Sequence, residues 1–293
     1  MTRGLDHIVH AVRDLVAAAD LYRRLGFTVG ARNQHPRSWG TQNHIIQLPN
    51  VYIELLALAD TSGIVPHSPR HFSFGGFNRD FLARGQGLSM LVLEGRGALD
   101  AGQFRAQGIG DFEPNNFERE GKRPDGTSVK LAFTLAFASN PYAPDIGLFT
   151  SLQHNPENFW NPAFQNHPNS AEGVAGVVVV ADRPGQHQQF FENFAGGHAV
   201  AHGDGFAIAT LRGTIDVMTP AAFLKRFGVK APDVARGARL AALRLAVTHG
   251  GRLQGAPELA GIAGLYVGNA AVIGSEDAMG AILVFEPATK KAR

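Results

Sequence analysis

The first sixty residues alternate between apolar and polar positions in a way that predicts a strand, a helix and further strands. Residues 5–12 have the pattern of a short strand, and an apolar-periodic helix follows and ends near residue 27. Residues 43–48 and 51–56 predict two more strands around the turn Pro49-Asn50. The segment therefore has the order of a compact βαβββ unit.

The same order recurs along the chain, which indicates an internal duplication. Further copies begin with strand patterns at residues 87–93, 174–180 and 240–247. Helices are predicted at 98–106 and 185–194, and later strands around residue 112 and at 129–138, 146–152, 206–211, 214–218 and 281–287. We expect an α+β fold of four βαβββ modules, paired into two half-barrel domains.

A polar, proline-rich connector at residues 155–169 divides the chain roughly in half. We place the domain boundary near residue 170, which gives an N-terminal domain at 1–170 and a C-terminal domain at 171–293. Two open four-stranded sheets that close side by side leave a cup between them. Concave sites of this kind suit a small-molecule ligand.

Composition narrows the possible chemistry. The 293 residues carry a formal net charge of only +2, which argues against a nucleic-acid partner. The chain has no cysteine, so disulfides and thiolate chemistry are excluded, and any metal needs histidine, carboxylate, amide or water ligands. The N-terminus lacks a signal pattern and the apolar runs are strand-sized, so we expect a cytoplasmic protein without a membrane segment.

The most informative residue is Glu54, which lies inside an otherwise apolar strand. An ionised carboxylate is costly to bury unless a cation lies against it. Strand alternation places His7 on the face of Val9, toward the cup, and puts His10 beneath the helix. A metal site with His7 and Glu54 is one explanation. A hydrogen-bonded buried histidine and a salt bridge from Glu54 to an arginine are the alternatives.

Several stretches resemble a known superfamily. The pattern Asp6-His7-Ile8-Val9, then Arg13-Asp14-Leu15, ending in Ile53-Glu54-Leu55, is similar to the vicinal oxygen chelate superfamily. The stretch Gly40-Thr41-Gln42-Asn43 resembles the glyoxalase-like domain proteins within it. The resemblance covers residues 4–60 most specifically.

The resemblance implies one divalent ion, of Zn, Ni, Mn, Mg or Fe, held by the first and last strands of paired modules. It assigns His7 and Glu54 as ligands from the first module. The second module offers Ser89, a poor ligand, and His154 beyond its last strand as the third ligand. A loop-capping role is the alternative for His154. Asp216 matches Glu54 in the third module, where it is a relic or an indirect contact.

Other polar residues are candidates for substrate binding. Asn43 and Gln47 share a face of their strand, and Tyr52 shares a face with Glu54. His44 would take their place if the register slipped by one residue. The aromatic stretch 71–77 is either a lid or wall of the cup or a plain hydrophobic bridge.

Three functions fit these features. The leading hypothesis is a metal-dependent isomerase or lyase that acts on a small oxygenated substrate, with Glu54 as the catalytic residue. An extradiol-type non-haem Fe(II) dioxygenase is the first alternative, because two histidines and one carboxylate suit that metal. A metal-free binding or resistance protein is the second. Exposed strand edges make a homodimer plausible.

Overall fold

The computed structural model describes residues 1–122, 126–248, 261–262 and 264–288. It contains two eight-stranded mixed sheets, one built from residues 5–153 and the other from residues 171–287. Residues 154–170 connect them. The α+β architecture of paired βαβββ modules is therefore confirmed.

The first sheet has the strand order β2-β3-β4-β1-β5-β8-β7-β6. Its strands are β1 (Leu5–Ala11), β2 (Asn33–Gln34), β3 (Thr41–Leu48), β4 (Val51–Leu58), β5 (Gly87–Glu94), β6 (Asn115–Lys122), β7 (Ser128–Ala138) and β8 (Gly147–Gln153). The first strands of the two modules, β1 and β5, pair antiparallel at the centre, and each also pairs parallel with the last strand of its own module. The strand expected around residue 112 begins at Asn115 instead.

The second sheet repeats this arrangement in the order β10-β11-β12-β9-β13-β16-β15-β14. Its strands are β9 (Ala171–Val180), β10 (Ala199–His202), β11 (Gly205–Ala209), β12 (Thr214–Met218), β13 (Arg239–Val247), β14 (Leu265–Val267), β15 (Ala270–Ile273) and β16 (Ile282–Pro287). β9 and β13 form the central antiparallel pair.

The α-helices are short and lie between strands. They are α1 (Leu15–Arg24), α2 (Phe74–Arg84), α3 (Ala98–Ala106), α4 (Pro156–Phe159), α5 (Gln188–Ala195) and α6 (Pro220–Phe227), with 3₁₀ turns at Thr61–Gly63, Pro162–Phe164 and Pro184–His187. The Asp14 side chain caps α1 by accepting from the Val16 and Ala17 amides, which satisfies two free N–H groups. The strand-and-helix pattern did not predict α2 or α6.

The three largest buried clusters divide the molecule into layers. The largest packs the outer faces of both sheets and their covering helices against one another, with Ile8, Leu91, Val177 and Leu243 among its fully buried members. A second, mostly aromatic cluster fills the concave face of the first sheet. A third fills the concave face of the second sheet. Because apolar side chains from both sheets share the largest cluster, the two halves pack as one body.

Among the helices of the described segments, none has the length and apolar character that crossing a bilayer requires.

Candidate functional site

The concave face of the first sheet encloses a small cavity of about 40 Å³. This volume holds an ion and a water molecule or two, and it is far below the ~300 Å³ of a typical ligand pocket. We call it the Glu54 cavity. Its lining residues are His7, His35, Trp39, Asn43, Ile45, Tyr52, Glu54, Phe74, Phe117, Arg119, Phe133, Leu135, Phe149, Ser151 and Phe159.

Glu54 lies at the centre of this face because β4 pairs parallel with β1, which sets Glu54 beside Val9. The residue is only 4% exposed. Its Oε1 accepts a hydrogen bond of 2.5 Å from Asn43 Nδ2 on the neighbouring strand β3. Glu54 is the one carboxylate among the described residues that line the cavity. A buried carboxylate with one hydrogen-bond donor still needs further compensation for its charge.

His7 faces the same point from β1. Its Nδ1 is 2.5 Å from Asp6 Oδ1, and Asp6 Oδ2 accepts from Gln153 Nε2 at 3.0 Å. A carboxylate can only accept, so the proton belongs on Nδ1 and the lone pair of neutral His7 is on Nε2. That Nε2 lies 3.8 Å from Glu54 Oε2. Stacking on the Tyr52 ring, at 4.3 Å between centroids, fixes the plane of the imidazole.

His35 is a site residue that the sequence pattern did not reveal. It follows the two-residue strand β2, and its Nδ1 lies 2.8 Å from the Thr41 hydroxyl. Its Nε2 is 3.5 Å from Glu54 Oε1 and 3.2 Å from Asn43 Nδ2, a donor. Burial lowers the pKa of His35, with the Glu54 charge opposing this shift. A neutral His35 therefore also directs a lone pair at Glu54.

The chemistry of these three side chains fits a divalent metal ion. Two imidazole nitrogens and a carboxylate converge, and the rear nitrogens of both histidines are held by Asp6 and Thr41, as is usual for metal ligands. Two ligands that each lie ~2.1 Å from one ion are roughly 3–4 Å apart, the range of both N···O separations. Within the described segments, however, no group of three such residues already has the spacing of a complete metal site. Asn43 holds Glu54 Oε1 in the present arrangement.

His154 is not brought to this site. It follows the end of β8, is exposed, and its Nε2 lies 2.8 Å from the hydroxyl of Thr134. Phe149 and Ser151 of β8 line the cavity, so alternation along this strand directs His154 to the opposite face of the sheet, where it meets Thr134. The expectation of a third ligand from the second module therefore finds no support in its position.

The predicted substrate contacts have different surroundings. Asn43 and Tyr52 both line the cavity, as strand alternation predicts. Burial, followed by the charges of Asp6 and Glu54, raises the pKa of Tyr52 well above its usual value, so its hydroxyl stays protonated. Gln47 instead anchors the chain over the cup: its amide donates to Phe159 O at 2.7 Å and accepts from the Asn161 N–H at 3.0 Å.

Two other histidines lie elsewhere. His10 is fully buried beneath α1, where its ring contacts the Tyr22 hydroxyl at 3.0 Å and Met279 O at 3.1 Å. His44 bonds to Gly30 O at 2.7 Å and does not line the Glu54 cavity. The aromatic stretch 71–77 becomes the start of α2 and a wall of the cup, because Phe72 and Phe74 join its aromatic cluster.

The second module supplies no ligand to the cup. Val9 pairs with Glu54 in the first module, and Val92 pairs with Phe149 in the second. Met90, two residues before Val92, is therefore the counterpart of His7. The assignment of Ser89 to this place was wrong by one residue: Ser89 faces away and donates to Asn78 Oδ1 of α2 at 3.1 Å.

The concave face of the C-terminal sheet is closed. The helix α6 packs Phe223 and Phe227 into it. At the place of Glu54, Asp216 accepts from Arg244 at 2.6 Å, and Arg244 also binds Glu286 at 2.5 Å. Burial acts to lower the pKa of Arg244, but its bonds with Glu286 and Asp216 outweigh burial and raise it. A guanidinium thus supplies the positive charge that Asp216 needs.

Outside the N-terminal cup lies an open groove of about 340 Å³. The chain segment from α4 to the turn Pro162–Phe164, which we call the strap, forms one of its walls. Ile45, Arg119 and Phe159 line both the groove and the Glu54 cavity. The groove is therefore the natural approach to the cavity.

Sequence comparison identifies the family. A family model described as a glyoxalase-like domain matches residues 5–194, which include every side chain of the Glu54 cavity. The chain belongs to this glyoxalase-like family. No curated protein matches the sequence.

Several solved structures share the fold of this chain. A hypothetical protein from Staphylococcus aureus has 12% identity and a TM-score of 0.67, with 97% of this chain and 99% of that one covered. A triple mutant of 4-hydroxymandelate synthase from Streptomyces coelicolor has 12% identity and a TM-score of 0.55, with 91% and 77% covered. A 2,2',3-trihydroxybiphenyl 1,2-dioxygenase from Sphingomonas wittichii has 11% identity and a TM-score of 0.50, with 97% and 90% covered. At such low identity the likeness concerns the fold alone.

Proposed function

We propose that this chain is a metal-dependent, glyoxalase-like enzyme of the isomerase or lyase type. It acts in the N-terminal cup on a small oxygenated substrate. His7, His35 and Glu54 are the proposed ligands of one divalent ion, with His35 in the place that the sequence gave to His154. When bound, the ion would polarise a substrate oxygen as a Lewis acid.

One observation carries the proposal. Glu54 Oε2 and His7 Nε2 face each other across 3.8 Å, beyond hydrogen-bond distance, with no described donor between them. Two buried acceptors that face one another are unfavourable unless a cation lies between them. A divalent ion meets that need and also uses the lone pair of His35. Asp6 and Thr41 would keep both rings oriented toward it.

The protein's own groups have distinct parts in this proposal. Glu54 is the candidate base, and because Oε2 faces the proposed ion, the oxygen that would accept a substrate proton is Oε1, which Asn43 now holds. The protonated Tyr52 hydroxyl and the Asn43 amide are donors that can stabilise negative charge developing on a substrate oxygen. The aromatic walls exclude water, which strengthens each of these interactions.

An extradiol-type dioxygenase is the second candidate. Two imidazoles and one carboxylate, with other positions open, are the ligand set that suits non-haem Fe(II). Such a reaction would not need a second carboxylate as base, and Glu54 has no companion carboxylate among the described cavity residues. Two of the solved structures above carry names that describe synthase or dioxygenase activity.

Metal analysis of four variants tests the proposal. Protein purified without chelator is assayed for bound metal, and the affinity of the metal-free protein is then titrated for zinc, nickel, manganese, magnesium and iron(II). His7→Ala, His35→Ala and Glu54→Ala should each lose the metal. The matched control His154→Ala should keep it, because His154 is exposed and lies on the face of the sheet opposite the cavity.

The identity of the ion separates the two reactions. Iron, with loss of activity on oxidation, favours the dioxygenase, and zinc, nickel, manganese or magnesium favours the isomerase or lyase. If no divalent ion binds more tightly than about 10 µM, both proposals fail and the metal-free binding protein is preferred. Retention of metal by Glu54→Ala would have the same consequence.

The remaining sequence expectations concern the cellular setting. A cytoplasmic location, the absence of a nucleic-acid partner and a homodimer formed through strand edges stay predictions. Gel filtration with light scattering measures the oligomeric state directly.

A further inference from the structure

Arg119 lies at the junction of the groove and the Glu54 cavity, and none of the described carboxylates is its partner. It lies on β6 and lines both spaces. Its guanidinium makes two long contacts, 3.4 Å to Asn33 Oδ1 and 3.5 Å to Glu120 O, and no described carboxylate oxygen lies within 4.0 Å of it. Burial lowers the pKa of Arg119, and the proximity of Tyr52 and Glu54 opposes this shift.

A half-buried guanidinium normally binds a carboxylate or a phosphate, since its planar set of N–H donors matches their oxygens. On the same hairpin, Lys130 binds Glu118 at 2.5 Å on the exposed side, so this second cation already has a carboxylate partner. Arg119 is thus a charged group near the site whose donors are not used by strong protein hydrogen bonds. That leaves its donors available to a ligand in the groove.

The surroundings of Arg119 define the rest of such a ligand. Apolar and aromatic side chains make the walls between groove and cavity, namely Ile45, Leu131, Phe159, Trp160 and Phe164 on the groove side and Phe117 stacked on Phe133 on the cavity side. A flat apolar body fits between rings of this kind. The groove volume of about 340 Å³ admits a molecule of one ring and its substituents.

We propose that Arg119 binds the carboxylate of a substrate that has a flat, apolar body. The substrate of this enzyme is then a small aryl carboxylic acid or a similarly flat carboxylic acid. A carboxylate is preferred over a phosphate because a single guanidinium balances one negative charge, and a dianion would leave excess charge close to Glu54. This assignment of substrate class rests on the proposed function, because the far end of the molecule would face Glu54. Binding of the carboxylate itself does not require the metal.

The experiment compares benzoate with benzamide, a neutral molecule of nearly the same shape. Binding is measured by isothermal titration and by fluorescence in EDTA. The chain has two tryptophans, Trp39 in the cavity wall and Trp160 in the groove wall. The variants are Arg119→Gln, Arg119→Lys and, as the matched control, Lys130→Gln, which removes one positive charge from the same hairpin. Unfolding midpoints verify that each variant is folded.

Benzoate should bind at least about tenfold more tightly than benzamide to the wild type. Arg119→Gln should abolish this preference, Arg119→Lys should keep part of it, and Lys130→Gln should leave it unchanged within about twofold. Equal binding of the two probes, no binding of benzoate, or an equal loss in Arg119→Gln and Lys130→Gln would each overturn the proposal. Tighter binding of phenylphosphonate than of benzoate would reassign the subsite to phosphate-like ligands and overturn it as stated.

These outcomes are independent of the metal test. If the preference for benzoate over benzamide depends on Arg119 but no divalent ion binds, the anion subsite stands and the proposed catalytic function fails. If the metal binds through His7, His35 and Glu54 but benzoate and benzamide bind equally well, the proposed metal site stands and the anion subsite fails.

Discussion

Replacing Glu54 by glutamine should change stability in opposite directions with and without metal. In the metal-free protein, Glu54 Oε2 faces His7 Nε2 at 3.8 Å, too far for a hydrogen bond. A glutamine can keep an oxygen toward Asn43 and turn its N–H toward His7, so one unfavourable pair of acceptors becomes a hydrogen bond. Relief of a buried, unsatisfied acceptor is worth about 1–3 kcal/mol. We therefore expect Glu54→Gln to be more stable than the wild type in EDTA by that amount.

Saturating metal should reverse the order. An ion present at about 1,000 times its dissociation constant stabilises the folded wild type by ~4.1 kcal/mol. The variant lacks the carboxylate ligand and should gain much less. The wild type then becomes the more stable protein by about 1–3 kcal/mol, the difference between the two effects.

Guanidinium unfolding followed by tryptophan fluorescence measures this reversal, because Trp39 lies in the cavity wall. Glu157→Gln is the control, since Glu157 is an exposed carboxylate of α4 and should alter neither curve. The competing explanation is a protonated His7 in an ion pair with Glu54. Breaking a buried pair of that kind costs ~3–5 kcal/mol. Destabilisation of Glu54→Gln in EDTA by such an amount would refute the argument for a metal.

Three further predictions concern other parts of the molecule. Burial lowers the pKa of His10 to about 4, although the hydrogen bond to Met279 O opposes this shift. As the pH falls, His10 therefore takes up a proton in the unfolded chain before it does so in the folded protein. The free energy of unfolding should be fully retained above pH 6.5 and should fall by about 3 kcal/mol as the pH drops to 4. His10→Gln should remove that part of the slope in urea titrations at several pH values, and an unchanged slope would contradict it. Gln47→Ala should release the strap and speed hydrogen exchange and proteolysis in it. Gln42→Ala, on the same strand but without a strap contact, should leave both rates unchanged. Equal hydrogen-exchange protection of the strap in the two variants would contradict this prediction. Arg244→Met should lower the unfolding free energy by about 3–5 kcal/mol, because it leaves Asp216 and Glu286 without their shared cation. Adding Asp216→Asn and Glu286→Gln should recover most of the loss, and failure to recover would show that the arginine acts through packing.

Part of the candidate site was predictable from the sequence because strand alternation is a local property. The side-chain period of two places His7 and Val9 on one face of β1 and His10 on the other, and it gives Glu54 and Tyr52 a common face of β4. The superfamily resemblance placed the ligand position of the second module at Ser89, one residue from Met90, the position that strand pairing gives. A one-residue shift along a strand exchanges its faces, and the apolar run around Ser89 contains no polar alternation that fixes the register.

The contribution of other residues depends on long-range packing. His35 lies in a loop after a two-residue strand, where no periodic pattern exists, and it reaches Glu54 only because β2 pairs with β3. Arg119 arrives from the outermost strand of the other module. His154 is close to the predicted ligand position in sequence, but the alternation of β8 directs it to the face opposite the cavity, against Thr134.

The sequence by itself determined the four βαβββ modules, the absence of cysteine chemistry and the presence of one buried carboxylate opposite a histidine. These follow from residue type and from short-range periodicity. Only the tertiary structure decided which cup remains accessible. In the C-terminal half α6 and Arg244 fill the concave face, and in the N-terminal half aromatic rings leave a cavity around Glu54. The reason is physical: the charge of a buried carboxylate is compensated by whatever group the fold brings near it, and that neighbour can lie far away in the chain.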